Sequence, residues 1–215
     1  MTLAGRIFIV AGFSALLCSA APRLSYSKFF KGSTPEYVAI TVERDGRATY
    51  QEAKDDDDPI HIQLSGVDTQ QMFSLADKLD HFQRPLESGL KVANMGLKTF
   101  RFEDGADQHE IQFNFSQDLN AQALLDWFER ITETEGSFIS LDRTAHYDKL
   151  GVNDALLQLQ ISWDHQRVVA PDQFLPLLDR IFKNESYLHV ARERAAGLAE
   201  AIRKPPAQAS GKTQP

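Results

Sequence analysis

The stretch Val38-Ala39-Ile40-Thr41-Val42-Glu43-Arg44-Asp45-Gly46-Arg47-Ala48-Thr49-Tyr50 decides the fold. Val38, Ile40 and Val42 alternate with Ala39, Thr41 and Glu43, the two-residue period of a strand with one buried face. Asp45-Gly46 supplies a two-residue hairpin signal, because glycine enters the left-handed region at no steric cost, and Ala48 and Tyr50 resume the alternation on the return. The same pattern recurs outward. Ile60, Ile62 and Leu64 alternate with His61 and Gln63. Phe100 and Phe102 alternate with Thr99, Arg101 and Glu103; a turn through Asp104 to Asp107 follows, and Ile111, Phe113 and Phe115 then alternate with Glu110, Gln112 and Asn114. About five strands are expected, apolar on one side and polar on the other, as in an antiparallel sheet wetted on one face.

Two helices are expected to cover the apolar side. Ser65 followed by Asp68 reads as a helix start, with Met72, Leu75, Ala76, Leu79 and Phe82 at helical spacing. Leu124, Leu125, Phe128 and Ile131 repeat that spacing after Ser116 or Asp118. Hairpin then helix thus occurs twice, which a duplicated unit and convergent hairpin chemistry both explain. From Ser137 the 3.6-residue period takes over. Phe138, Leu141 and Ala145 mark one helix; Val152, Leu156, Leu159 and Trp163 a second; Phe174, Leu178, Ile181 and Phe182 a third; Leu188, Ala191, Ala195, Leu198 and Ile202 a fourth. The expected class is α+β: an antiparallel domain over 22–135 in the order ββ(β)α-ββα, then an all-α domain of about four helices over 136–203. The Pro/Gly/Ala/Ser-rich residues 204–215 read as a disordered tail.

The 215 residues are 42% apolar and 25% charged, ordinary proportions for globular domains, so collagen-like and wholly disordered chains are excluded. The net charge of −7 is unevenly spread. Residues 22–135 carry 12 Lys/Arg against 21 Asp/Glu, whereas residues 136–215 carry 10 against 9. Phosphate binding needs clustered cations without an opposing field, so nucleic acid is not an expected partner.

Met1 to Ala21 has the pattern of a secretory signal peptide: Arg6, an apolar run from Ile7 to Leu17, then Ser19, Ala20 and Ala21, with cleavage expected near Ala20. The run is about half the ~20 residues that span a bilayer, so no stable membrane span is expected in the mature form. The alternative is that the segment is retained as an anchor. The single cysteine, Cys18, falls inside it. Its loss would remove disulfide, thiolate-metal and cysteine-nucleophile chemistry.

Other motifs fail on spacing. Gly211-Lys212-Thr213 ends like a phosphate loop, but Pro206 stands where the first glycine belongs. Asp55 to Asp58 lack the alternating ligands and glycine turn of a calcium loop and read as a solvated, edge-blunting run. No two histidines lie at i, i+4, so no metal site and no cofactor is expected. Asn114-Phe115-Ser116 and Asn184-Glu185-Ser186 fit the glycosylation pattern, whose use depends on the host. The residues from Gln83 to Leu97 form a long connection with no regular element, and such connections are often functional. Arg84, Lys91 and Lys98 around Asn94 give it a local basic character within an acidic domain. Arg84, Lys91, Asn94 and Lys98 are therefore the candidate binding residues; the alternative is that Leu86, Leu90, Val92 and Met95 pack the segment down.

The chain resembles a group of exported bacterial proteins without an assigned activity. The resemblance lies in Lys91-Val92-Ala93-Asn94-Met95-Gly96 with Lys98-Thr99, in Leu124-Leu125-Asp126-Trp127-Phe128-Glu129-Arg130, and in Asn184-Glu185-Ser186-Tyr187-Leu188-His189 leading into Ala191-Arg192-Glu193-Arg194-Ala195-Ala196. It implies export to the periplasm or beyond and adds no catalytic residue. The expected role is an exported, soluble, non-catalytic binding or scaffold protein with a protein or glycan partner. One rival is an exported hydrolase using His61 or His109 with Glu110; another is a helical adaptor.

Overall fold

The computed structural model describes residues 21–204. Residues 1–20 with Cys18, on which the expected signal peptide falls, and residues 205–215 with the expected disordered tail and the Gly211-Lys212-Thr213 motif lie outside the described residues.

Six strands form one antiparallel sheet: β1 (Arg23–Phe29), β2 (Tyr37–Glu43), β3 (Arg47–Gln51), β4 (Ile60–Gln63), β5 (Leu97–Asp104) and β6 (Asp107–Phe113), in the order β4-β3-β2-β1-β5-β6. The fold is α+β, as the alternation and the change of period predict. The sheet has one strand more than the expected five. β1 occupies its centre, with Leu24 opposite both Val42 and Phe102. Four strands precede the first helix and two precede the second, so the two hairpin-helix units are unequal. The β2–β3 connection is also longer by one residue than Asp45-Gly46 alone: Arg44 to Gly46 make the turn, with Gly46 at φ +87° donating its N–H to Glu43 O at 2.9 Å. A Cβ on Gly46 would stand 2.7 Å from Leu64 O, so the backbone conformation and the space both require glycine.

α1 (Gly66–Lys78) starts as expected, with the Ser65 hydroxyl accepting from Asp68 N at 3.1 Å. It links β4 to β5 across the apolar face. α2 (Leu119–Tyr147) is capped by Asp118, whose carboxylate accepts from Asn120 N and Ala121 N. Between sheet and helices lies an aromatic cluster in which Tyr26 stacks on Phe128 at 4.8 Å and Phe100 meets Phe82, Phe113 and Phe128 within 5.8 Å.

The sequence reading places separate helices on either side of residues 135/136, whereas α2 runs unbroken through them for 29 residues. Thr132, Thr134 and Ser137 donate their hydroxyl hydrogens to the carbonyls of Phe128, Arg130 and Glu133, so the hydroxyls of this polar stretch are satisfied within the helix. The end of α2 then packs with α3 (Val152–Asp164), α4 (Leu175–Lys183) and α5 (His189–Arg203). Buried apolar side chains form two clusters, one under the sheet that includes Ile131, and one among the helices that begins at Leu141. Among the described residues, no helix is long and apolar enough to cross a membrane.

Candidate binding surface

α1 and α2 cover one face of the sheet and leave the other open. Its centre carries small polar groups, with Ser25 Oγ and Thr41 Oγ1 3.2 Å apart. Arg101 binds Glu103 at 2.6 Å toward one end. At the other end, Phe29 and Leu97 are cross-strand partners and both stand about half exposed at 48%.

The segment from Gln83 to Gly96 enters β5 beside that apolar end. It has no regular structure, yet its two ends are held along their length, as in a strap. Arg84 donates to Asp118 Oδ2 at 2.5 Å, which holds the Asp118 carboxyl below the usual range. Glu87 accepts from Asn114 N at 2.6 Å, a bond that lowers its own pKa, and Ser88 N donates to Phe115 O at 2.8 Å. Met95 N donates to Asn114 Oδ1 at 2.7 Å while Asn114 Nδ2 donates to Ala93 O at 3.0 Å. Gly96, at φ +91°, passes so close to the β1–β2 connection that a Cβ would lie 2.9 Å from Phe30 Cβ.

The four candidate residues divide sharply. Lys98 is 3% exposed, and its ammonium donates to Asn114 O at 2.8 Å, Met95 O at 3.2 Å and Gly96 O at 3.3 Å. Burial, with Lys28 nearby, pushes its pKa down. Arg84 is committed to Asp118, and Asn94 Oδ1 accepts from Gly96 N at 2.9 Å in a local turn. These three groups build the strap. Lys91 is exposed, and among the described residues it makes no hydrogen bond or ion pair. Of the apolar residues weighed as packing, only Leu86 is buried; Leu90, Val92 and Met95 are 40–50% exposed. The strap thus joins Phe29 and Leu97 in presenting large apolar side chains to solvent, with Lys31 and Lys91 exposed on the same connections. Spacing gave no sign of this display, because exposure in an irregular segment has no period.

The expected pairing of His61 or His109 with Glu110 is not formed. His109 shares the covered face with its partner Phe102, with Nε2 2.6 Å from Asp107, while its strand neighbour Glu110 points to the opposite face. His61 lies on the open face opposite Thr49. A depression of about 320 Å3 in that face is lined by Ser25, Thr99, Arg101 and Glu110 among others, and by no histidine. Among the described residues no three His, Cys, Asp or Glu are grouped to hold a metal ion. Of the two glycosylation patterns, Asn114 is engaged through both ends of its amide, and Asn184 Oδ1 accepts from Ser186 N at 3.0 Å.

No protein-family model matches the chain. No curated protein matches it either.

Proposed function

We propose that this chain is an exported, non-catalytic binding protein of the bacterial envelope that holds a partner protein against the strap and the adjoining end of the open sheet face. The observation that carries the reading is the display of Phe29, Leu90, Val92, Met95 and Leu97 on backbone pinned by side-chain hydrogen bonds. Exposed apolar side chains on a rigid support are the usual mark of a protein-contact site, because association returns the apolar area to a dry environment without an ordering cost. Aliphatic and thioether groups favour an apolar protein surface over a sugar, and the rim of Lys31 and Lys91 favours acidic residues around it. The signal-like pattern of residues 1–21 and the resemblance to exported proteins support the location.

The test is affinity capture with cross-linking from envelope extract of the source bacterium. L90S/V92S/M95S is expected to lower recovery of the captured protein by more than about tenfold, and Lys91→Glu by less, with unchanged melting temperatures. The helical-adaptor reading rests on Leu157 and Ile161, exposed one turn apart on α3. L157S/I161S supplies the comparison: loss there with retention in the strap variant would overturn the strap assignment. Concentration-dependent dimerisation that the strap variant abolishes would replace the foreign partner with a second copy.

A further inference from the structure

A second site lies on the covered side of the same sheet, where β1 and β2 meet their connection. Between β1 and β2 the connection through Ser33, Thr34 and Pro35 overhangs α2 and encloses a pocket of about 290 Å3, near the lower end of the roughly 300–1,000 Å3 typical of small-molecule sites. Its walls carry two charged groups without a partner, Lys28 and Glu129, with Tyr26 behind them. Tyr26 is 2% exposed and stacked on Phe128, and its hydroxyl is buried with no hydrogen-bond partner. Lys28 and Glu129 line the same space, and among the described residues neither makes a hydrogen bond or an ion pair.

The neighbouring charges are already occupied. Glu133 is held by Arg167, whose Nε donates to it at 2.8 Å, and Lys98 is held by three carbonyls. Lys28 and Glu129 are therefore the free charges of the pocket, one of each sign. Burial raises the Glu129 pKa while Lys28 and Lys98 oppose the rise, so the carboxylate is poorly solvated and gains from a cationic partner. Val38 and Pro35 supply the apolar remainder of the wall.

We propose that this pocket binds a small amino acid, its carboxylate on the Lys28 ammonium and its ammonium on the Glu129 carboxylate, with a short aliphatic side chain against Val38 and Pro35. One ligand of opposite end charges satisfies both groups at once; a simple anion leaves Glu129 unpaired and a simple amine leaves Lys28 unpaired.

The experiment is titration of the full chain with L-valine, with propionate and isobutylamine as half-ligands, followed by calorimetry and by amide chemical shifts. Saturable L-valine binding is expected, with shifts confined to residues 26–38 and 129–133 and with both half-ligands at least about tenfold weaker. Lys28→Met and Glu129→Gln should each weaken L-valine by about tenfold or more. Absence of saturable binding overturns the site. Equal affinity for propionate and L-valine, or a Glu129→Gln variant that binds as the wild type does, overturns the amino-acid assignment.

Discussion

Glu135 has no solvent exposure, although it lies midway along a helix among polar neighbours in sequence. One carboxylate oxygen accepts from Gln173 Nε2 at 2.9 Å, and the other is buried without a partner. Burial pushes its pKa up from 4.5 to about 7. The folded state thus holds the proton more tightly than the unfolded chain. The contribution of Glu135 to stability is full below pH 4.5, falls as pH rises toward 7, and then levels off about 3 kcal/mol lower. Glu135→Gln, which keeps an acceptor for Gln173, should abolish that decline and be the more stable form at pH 8. Urea unfolding of both proteins at pH 5 and pH 8 measures it; parallel pH dependences would refute it. Nothing in the sequence marked Glu135 for burial, because its partner comes from a segment 38 positions downstream.

Elements were legible in the sequence wherever one periodicity governed them. β2, β3, β5 and β6 show two-residue alternation, and α1 shows its cap as well. β1 was illegible because its covered face reads Leu24, Tyr26, Lys28, too few apolar residues to make a pattern, and its open face reads Arg23, Ser25, Ser27 and then an apolar Phe29. α2 was read as two helices because its buried face turns polar at Thr134 and Glu135. Those residues answer to another segment: Val169 N donates to Thr134 Oγ1 at 3.1 Å and Gln173 to Glu135. The strap could be located by its length, but its exposed apolar side chains depend on which hydrogen bonds pin it. Its pinning gives a prediction. Glu87→Gln weakens the charge-assisted bond to Asn114 N and should speed trypsin cleavage after Lys91 by roughly threefold or more without lowering the melting temperature. A cleavage rate equal to wild type would show that Glu87 is not an anchor.

At the scale of the whole molecule, the sheet core and the helical core meet through α2 and through the connection that follows α3. Arg167 in that connection donates to Glu133 at 2.8 and 2.9 Å and to Asp126 at 2.5 Å, all on the sheet half of α2. Val169 beside it is 2% exposed and belongs to the core under the sheet. The helical half thus inserts a side chain into the other half's interior and clamps it with charge. R167A/V169S should divide one calorimetric transition into two, since each core keeps its own apolar cluster. A single transition in the double variant would place the coupling in α2 alone. The central position of β1 also imposes an order of assembly. Residue 24 meets residue 42 early in a chain emerging from its amino end, but waits for residue 102 on its other side. Until then β1–β4 make a sheet ending in a row of unpaired amides beside bare Leu24 and Tyr26. The delay before residues 97–104 arrive is the interval in which intermolecular strand pairing competes with folding, so aggregation should depend on how fast the chain is delivered.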